Sequence, residues 1–337
     1  MACIHRLRIP AILTLLVFTG ITMNAQTVKL LTSGTKTSMR GLSVVNDKVV
    51  WASGSGGMVA RSLDGGLHWT WNTVKGYEKS EFRDIEAFDD KNAVLMVIAS
   101  PAIILRTTDG GTNWSIVFKD ERKDMFLDAM EFSDSQNGIV LGDPINGRFF
   151  LARTYDGGKS WTELPEQERP QADSGEACFA SSGTNIRKLT KEEWIFVTGG
   201  RAANIFKRNL RINVPIIQGT ESTGANSIAV KDKKTYMIVG GDFNTKDATT
   251  KNCVYTNNGG MTWQVPDSLP HGYRSSVEYL GGHTWISCGL NGTDISKDDG
   301  KHFTWIGTDG YHVVRKAKKG KAVFFAGGGG RIGKLVD

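Results

Sequence analysis

An eight-residue motif returns five times along this chain of 337 residues. Ser or Thr stands first, Asp third, glycine at the fourth and fifth places in most copies, and an aromatic residue last. The copies occupy residues 62–69, 107–114, 154–161, 256–263 and 296–303, with Asn258 in the Asp place and Phe303 in the Trp place. A motif that recurs about every 40–50 residues indicates a repeat architecture in which each repeat is one structural unit.

The conserved chemistry of the motif suits a tight turn between two strands. Its hydroxyl and carboxylate oxygens can accept hydrogen bonds from nearby backbone N–H groups, and glycine tolerates the positive φ that such turns need. The aromatic residue can then fold over the turn. We therefore interpret the residues in the Asp place as structural rather than catalytic: Asp64, Asp109, Asp156, Asn258 and Asp298.

The spacing of the motifs gives the number of repeats. Asp64 and Asp109 are 45 residues apart, and Asp156 follows after 47 more. The next interval, to Asn258, is 102 residues, which leaves room for one hidden repeat of ordinary length. The motif of that hidden repeat is eroded to Lys207-Arg208-Asn209-Leu210.

Each repeat contains four short strand-like runs, and the third run ends in the motif. The first repeat has runs at Arg40–Val45, Val49–Ser53, Met58–Ser62 and Trp69–Val74. The runs predicted for the hidden repeat are Ala177–Ser182, Trp194–Thr198, Asn204–Arg208 and Arg211–Ile217. One repeat therefore predicts one four-stranded antiparallel sheet.

The two ends of the chain complement each other. Three runs at the C-terminus, the last of them Ile332–Val336, lack a fourth strand, and Thr27–Leu31 stands before the first repeat without partners. Pairing them removes two exposed sheet edges, which would otherwise promote aggregation. The prediction is an all-β fold: a single seven-bladed β-propeller over residues 26–337, with four-stranded antiparallel blades, closed by an N-terminal strand that joins the last blade.

Residues 1–25 are typical of a cleaved secretory signal. Arg6 and Arg8 precede an apolar run, Ile9 to Phe18, that is too short to span a bilayer comfortably, and a small-residue exit ends at Ala25. This predicts a secreted or periplasmic protein without a membrane span after cleavage; a retained N-terminal anchor is the alternative. Cysteines 178, 253 and 288 are widely spaced and suggest no disulfide framework.

A functional site is expected on the face opposite the motifs, because the motif residues are interpreted as structural. Residues predicted to contact a ligand there are Arg40, Arg83, Arg201, Arg274 and Tyr311. Several arginines on one face favour a polar or anionic ligand, because guanidinium groups bind carboxylates in a bidentate manner. Candidate acids and bases of an alternative carbohydrate-active enzyme are Glu176, Asp143 and Asp242. The irregular segment 165–175 is either a crossing loop or a lid over this face.

Other chemistries find little support in the sequence. The histidines have no zinc-site spacing, and no metal or cofactor is predicted. Gly54-Ser55-Gly56-Gly57 lies between strands without a following helix, which argues against a nucleotide-phosphate loop. The formal net charge is +6, and the one dense basic run, 316–321, falls between two predicted strands, so no nucleic-acid partner is indicated.

The motifs resemble the Asp-box, or BNR, repeats of the sialidase-like superfamily, and the whole repeat unit is similar to BNR propellers related to photosystem II stability and assembly factors. Segments 142–144, 175–184 and 239–243 resemble a secreted bacterial subgroup that often carries the label "oxidoreductase", although no redox site supports that label. Phe82-Arg83-Asp84-Ile85 is only a partial echo of the sialidase Phe-Arg-Ile-Pro signature.

This resemblance implies a propeller that binds a partner through an arginine-rich face, and we expect the propeller to be a monomer. We expect a protein segment or a polar, anionic ligand there, and a glycan ligand of a sialidase-like glycoside hydrolase is the alternative.

Overall fold

The computed structural model describes residues 26–99 and 101–337. The predicted secretory signal, residues 1–25, lies outside the described part of the chain. Among the described residues, no helix is both long and apolar enough to cross a membrane. Short strands dominate, and 3-10 turns occur at Glu166–Glu168 and Gly328–Gly330.

The N-terminal half follows the predicted strand order. Strand β1 (Thr27–Thr32) comes first. Blade 1 consists of β2 (Met39–Val44), β3 (Val50–Gly54), β4 (Met58–Ser62) and β5 (Thr70–Thr73). Blade 2 consists of β6 (Phe82–Ala87), β7 (Ala93–Val97), β8 (Ala102–Thr107) and β9 (Ser115–Asp120). Blade 3 consists of β10 (Leu127–Phe132), β11 (Gly138–Ile145), β12 (Arg148–Thr154) and β13 (Thr162–Glu163).

The C-terminal half contains the remaining four blades. A short strand, β14 (Glu176–Ala177), precedes blade 4. It pairs with β17 (Gly199–Gly200), and β17 in turn pairs with the first strand of blade 5. Blade 4 consists of β15 (Ile186–Lys188), β16 (Trp194–Val197), β18 (Asn204–Lys207) and β19 (Leu210–Asn213). Blade 5 consists of β20 (Thr223–Val230), β21 (Tyr236–Asp242) and β22 (Cys253–Thr256). Blade 6 consists of β23 (Ser276–Gly281), β24 (Thr284–Gly289), β25 (Gly292–Ser296) and β26 (Thr304–Gly307).

Blade 7 closes the ring as the sequence predicts. It consists of β27 (Val313–Lys316), β28 (Val323–Ala326) and β29 (Ile332–Val336), and β1 supplies the fourth strand. The pairing of β1 with β29 is antiparallel, with Thr27 opposite Val336 and Lys29 opposite Lys334. The innermost strands also meet around the axis, because β27 contacts β2 as well as β23. The all-β, seven-bladed prediction is therefore confirmed.

The hidden repeat is present, but its predicted first strand is wrong. The innermost strand of blade 4 is β15, Ile186–Lys188, rather than 177–182. Residues 178–184 instead enter the central channel, where their backbone carbonyls accept hydrogen bonds from side chains of other blades. In blade 5 the outer strand shrinks to a single bridge between Tyr255 and Gln264.

The five motif copies form hydrogen-bonded turns between the third and fourth positions of their blades. In the copy at 107–114, Asp109 Oδ1 accepts from the backbone N–H groups of Thr112 and Asn113 at 3.1 and 2.9 Å. Thr107 Oγ1 accepts from Gly111 N at 3.1 Å, and Trp114 Nε1 donates to Gly111 O at 3.1 Å. Hydrogen bonds from Asn113, first through its backbone N–H and then through its side chain, lower the pKa of Asp109 to about 2.

The blade order divides the propeller into two faces. The turns that join the first to the second strand and the third to the fourth strand lie on the face that we call the lower face. The loops between blades and the loops from the second to the third strand lie on the opposite, upper face. All five motif copies are therefore on the lower face.

Four innermost strands share a bulge where they leave the upper face. The pairing with the second strand skips one residue in each of β2, β6, β10 and β20. The skipped residues are Arg40, Arg83, Asp128 and Asn226. A bulge redirects the side chain of its extra residue, so these four positions direct polar side chains to the channel mouth.

Candidate functional site

Arg40 and Arg83 lie together on neighbouring blades at the upper mouth of the channel. Arg40 Nη1 donates to Ser181 O at 3.1 Å, and Arg83 Nη1 donates to Ala180 O at 3.0 Å. Burial, followed by the like charge of Arg83, lowers the pKa of Arg40 to about 10. The two side chains are therefore held close enough to repel each other, and Arg40 remains charged at neutral pH.

The charge around this pair is unbalanced. Arg83 Nε lies 3.3 Å from Glu81 Oε2, whereas within residues 26–99 and 101–337 Arg40 makes no ion pair and its buried Nε has no hydrogen-bond partner. Arg331 lies near the same site and donates to Gly310 O at 2.7 Å. Burial and then the charges of these three arginines lower the pKa of His312 to about 3, so His312 is neutral at pH 7.

The channel segment, which we define as residues 178–184, fills the channel beneath the arginines. Ser182 Oγ donates to Ser275 O at 2.7 Å, and Arg315 Nη2 donates to Gly183 O at 2.8 Å. Gly183 has a φ of 62°, and a Cβ added there would lie 2.4 Å from Asp84 Cγ. The segment therefore needs glycine at this point, and it links blades on opposite sides of the ring.

A buried group of acids lies beside this segment. Donor atoms of Asp128, Asp143 and Cys178 all lie within 4.8 Å of one another. Asp128 is fully buried, and neither carboxylate oxygen has a hydrogen-bond partner among the described residues. Burial, and then the neighbouring Asp143, raise the pKa of Asp128 well above its usual value, and burial also raises that of the Cys178 thiol. Both shifts favour the protonated form, which competes with metal binding at these atoms.

Asp84 lies deeper in the channel. Its carboxylate accepts from Ile85 N at 2.9 Å and from Met130 N at 2.8 Å. Burial raises the pKa of Asp84 to about 7, although the charge of Arg315 opposes this shift. Burial likewise raises the pKa of Asp143 to about 6.

The lower end of the channel holds a cavity of about 1200 Å³, and several charged side chains in its lining form ion pairs. Arg187 lies 3.4 Å from Glu278 and 3.7 Å from Glu131, and Lys318 Nζ lies 2.5 Å from Glu86. These side chains are thus paired with opposite charges. At the upper mouth, by contrast, the buried Nε of Arg40 has no hydrogen-bond partner among the described residues.

Two of the predicted ligand residues are buried in structural roles. Arg274 and Asp294 have no exposed surface, and Arg274 Nε donates to Asp294 Oδ2 at 2.6 Å. Tyr311 is 1% exposed and packs against Phe325, with ring centroids 5.3 Å apart. These positions correct the prediction that Arg274 and Tyr311 face a ligand, because neither side chain reaches the upper surface.

The three candidate acids and bases do not converge on an open site. Buried Glu176 accepts hydrogen bonds from Thr198 Oγ1, from Asn204 Nδ2 at 2.9 Å and from Asp173 N at 2.8 Å. Asp143 accepts from Cys178 N at 2.8 Å, and Asp242 accepts from Asn244 N at 2.9 Å within its own loop. Glu176 thus anchors the chain ahead of the channel segment.

Arg201, the remaining predicted contact, is exposed on the upper face. It lines an open groove of about 750 Å³ together with Phe243 and residues 219–222. The ring of Phe243 is 42% exposed and meets Phe179 edge to face, with centroids 6.0 Å apart. This groove therefore combines an apolar ring with a basic side chain.

The crossing segment 165–175 is tied down at several points. Arg169 Nη1 lies 2.7 Å from Glu163 Oε1, and Ala172 N donates to Gly147 O at 2.9 Å. Arg211 pairs with Asp173. These contacts fit the crossing-loop alternative better than the lid.

Sequence reasoning did not include Asp128, Glu81 or the contact between Phe179 and Phe243. A sequence pattern could have identified Asp128, because Leu127-Asp128 occupies the same position in its strand as Met39-Arg40 and Phe82-Arg83. No such signal marks Phe179, since its position depends on the path of the channel segment.

Comparisons with known proteins support the predicted resemblance. The family model "Photosynthesis system II assembly factor YCF48" matches residues 22–124. The photosystem II assembly lipoprotein Ycf48 of Synechococcus sp. (strain CC9902) is 27% identical over 111 residues, which are 32% of this chain and 31% of that protein. The alignment thus spans less than a third of this curated relative.

Solved structures extend the likeness to the whole ring. The structure "YCF48 bound to D1 peptide" has a TM-score of 0.66 at 14% identity and covers 94% of this chain and 96% of that one. YCF48 from Cyanidioschyzon merolae has a TM-score of 0.63 at 17% identity, with 92% and 98% covered. At these identities the structural likeness establishes the fold, and together with the sequence matches it identifies a propeller similar to the photosystem II assembly factors.

Proposed function

We propose that this YCF48-like propeller binds a protein segment on its upper face, where Arg40 and Arg83 receive a carboxylate of that segment. The observation that carries the proposal is the unbalanced charge at the channel mouth. Three guanidinium groups, those of Arg40, Arg83 and Arg331, are near His312, and Glu81 is paired with one of them.

The physical reason lies in the cost of holding like charges together in a partly buried site. Arg40 is already partly stripped of water, and its pKa is lowered by burial and by Arg83. An incoming carboxylate removes this repulsion and can accept charge-assisted hydrogen bonds from both guanidinium groups. A neutral ligand would leave the repulsion in place.

The groove beside Arg201 gives the same face an apolar contact. Phe243 and Phe179 form an edge-to-face pair there, with Phe243 partly exposed. An extended segment can place an apolar side chain on these rings and an acidic group on the arginines. Protein binding in the same fold is supported by the neighbouring structure, in which YCF48 is bound to D1 peptide.

The proposal is tested with a display library of random ten-residue peptides selected on the protein spanning residues 26–337. We expect the selected peptides to be rich in Asp and Glu. Changing Arg40→Gln together with Arg83→Gln should weaken their binding about tenfold or more, since hydrogen bonds to charged groups contribute about 1.5–3 kcal/mol. The wild-type affinity should also fall with added salt.

A charge-matched control comes from the lower face. Lys297 and Lys301 are exposed there, and Lys297→Gln with Lys301→Gln removes the same charge. This control should bind the selected peptides as the wild type does. Peptides without acidic residues, or equal binding by the two double variants, would contradict the proposal.

Export through residues 1–25 is part of the same proposal, because a secreted chain would meet its partner outside the cytoplasm. The carbohydrate-active alternative needs two carboxylates facing one sugar. Glu176 instead anchors Thr198 and Asn204, so no specific observation favours that alternative.

A further inference from the structure

A cavity of about 630 Å³ opens between blades 3 and 4 near the lower face. Its inner wall is apolar and includes Ile139, Leu151, Trp194 and Phe196. Its rim carries the basic residues Arg153, Lys191 and Arg208 and the acidic residues Glu168 and Glu192. This volume and this mixture of surfaces suit a small-molecule ligand.

The cavity occupies the place of the missing motif of blade 4. In blade 2, Arg106 pairs with Ser115, and the eight-residue motif lies between their strands. In blade 4, Lys207 pairs with Leu210, so two residues, Arg208 and Asn209, replace the motif. The aromatic residue that ends every other copy is absent here.

Register equivalence shows where that motif would lie. In blades 2 and 3 the second glycine of the motif packs on the second strand of the preceding blade: a Cβ added to Gly111 would lie 3.2 Å from Trp51, and one added to Gly158 would lie 2.7 Å from Val94. Trp51 pairs with Ser43, and Val94 pairs with Glu86. The residue at that register in blade 3 is Ile139, opposite Glu131, and it lines the cavity.

The missing motif also leaves a basic side chain without its acceptor. Arg106 Nε donates to Gly157 O of the next blade at 3.3 Å, and Lys334 Nζ donates to Gly65 O at 3.4 Å. Lys207 donates to Gly259 O in the same way. Each of these acceptors is the first glycine of a motif. The three donors occupy equivalent positions in the third strands of their blades.

Arg153 stands at that register in blade 3, opposite Ile139. Its Nη1 donates to Tyr155 Oη at 3.5 Å, but its buried Nε has no hydrogen-bond partner within the part of the chain that the structure describes, and no ion pair of Arg153 occurs there either. Arg208, by contrast, lies 3.3 Å from Glu193. A buried, unpaired donor of this kind favours a ligand that brings an acceptor.

We propose that this cavity binds a small aromatic carboxylate. The ring takes the place of the missing motif aromatic against Ile139, Leu151 and Trp194, and the carboxylate accepts hydrogen bonds from Arg153. The site is on the opposite face from the proposed protein-binding surface and does not depend on it.

The test uses indole-3-acetate and its neutral counterpart indole-3-acetamide as probes for the protein spanning residues 26–337. Isothermal titration calorimetry should show saturable binding of one molecule of the acid. The amide should bind about tenfold more weakly, because it lacks the charge that strengthens hydrogen bonds to Arg153. Failure of both probes to bind would overturn the proposal.

Two variants locate the binding. Ile139→Trp fills the cavity with an indole, as Trp51 does at the same register in blade 1, and should abolish binding of the acid. Arg153→Gln should abolish the preference for the acid over the amide, whereas Arg106→Gln, the matched change in blade 2, should preserve it. Circular dichroism checks folding, and Arg153→Gln decides the case if Ile139→Trp does not fold.

A blocked peptide of residues 107–114 separates the two kinds of occupant. This peptide carries a complete motif with its tryptophan and no free terminal charge. If it binds in the cavity and indole-3-acetate does not, the cavity accepts a protein turn and the proposal is wrong. Retained acid binding by Ile139→Trp would equally overturn it.

Discussion

The pKa values of carboxyl groups on the lower face and in the channel are shifted in opposite directions. Asp109, on the lower face, is held ionised by Asn113, and its pKa falls to about 2. Asp84, in the channel, also accepts two backbone hydrogen bonds, but burial raises its pKa to about 7. Similar hydrogen bonding thus gives opposite results, because desolvation in the channel outweighs it.

The two regions differ in repetition as well. Every motif turn repeats the hydrogen bond from the N–H of the glycine in its fifth place to the hydroxyl of its first residue. The bulge position at the channel mouth, by contrast, changes from Arg40 and Arg83 to Asp128 and Asn226. A position that builds the ring must satisfy the same geometry in every blade. The varied position can therefore serve recognition, while the repeated one serves stability.

The largest effect is expected from breaking the buried ion pair near the upper face. Arg274→Ala leaves Asp294 buried, with the half-exposed His271, whose Nδ1 lies 2.7 Å from Asp294 Oδ1, as its remaining side-chain partner in this ion-pair group. This should reduce the free energy of unfolding by about 3–5 kcal/mol. Urea unfolding followed by circular dichroism measures the change.

Exposed Arg201 on the same face is the matched control. Arg201→Ala should alter the free energy of unfolding by about 0.5 kcal/mol or less. A similar loss in both variants would show that Arg274 is not the structural arginine of this face.

The second effect is a pH dependence that originates in the channel. Because the pKa of Asp84 is raised, its stabilising contribution is present below pH 3.8 and is lost as the pH rises through about 7. Asp84 should therefore lower the free energy of unfolding between pH 4 and pH 8 by at most about 4 kcal/mol. His312, whose pKa is lowered from 6.5 to about 3, acts in the opposite direction, so the contribution of Asp84 is read from the difference between the wild type and Asp84→Asn.

Asp84→Asn removes the titrating group and should remove its contribution to the pH dependence. Contributions of the same sign remain from Asp143, whose pKa is about 6, and from Asp128, whose pKa is also raised. Unfolding measured in urea at four pH values compares the variants, and an unchanged slope in Asp84→Asn would contradict the assignment. On the lower face the sign is reversed, since Asp109 loses its contribution as the pH falls through about 2.

The smallest effect is expected on the lower face. Asp156 Oδ1 accepts from the backbone N–H groups of Lys159 and Ser160 at 2.9 and 3.0 Å. Asp156→Ala should cost about 1 kcal/mol, because these donors are exposed and water replaces the lost acceptor.

Asp156→Asn tests whether charge or shape matters, since Asn258 occupies this place in blade 5 and its Oδ1 accepts from Thr262 N at 2.9 Å. We expect the Asn variant to retain most of the stability in thermal unfolding. Equal losses in the Ala and Asn variants would show that the charge carries the effect.

The candidate site was less predictable than the ring. Arg40 and Arg83 were identified from their places at the starts of predicted strands, and the structure brings them together. Arg274 has the same sequence signature, yet Asp294 and Asn291 surround it. Nothing near Arg274 in the sequence distinguishes a buried arginine from an exposed one, because its partners are 20 and 17 residues away.

The sequence by itself determined the number of blades, the closure of the ring and the position of the motif turns. The motif turns depend on contacts within a few residues, such as Asp109 with Asn113, and the number of blades depends on strand alternation that repeats in every unit. Closure pairs the two distant ends of the chain, but the sequence indicates it because the strands at both ends lack partners of their own. Local hydrogen bonds and local periodicity can be predicted from the sequence, because the residues that form them are close together in the chain.

The tertiary structure alone decided what fills the centre and what remains open. Arg40 meets Ser181 across 141 positions of the chain, and the channel segment displaces the strand predicted at 177–182. The eroded motif at Lys207–Leu210 marks a missing turn in the sequence, but only the packing of blades 3 and 4 shows that a cavity takes its place. Burial and charge balance depend on groups distant in sequence, and folding alone brings them together.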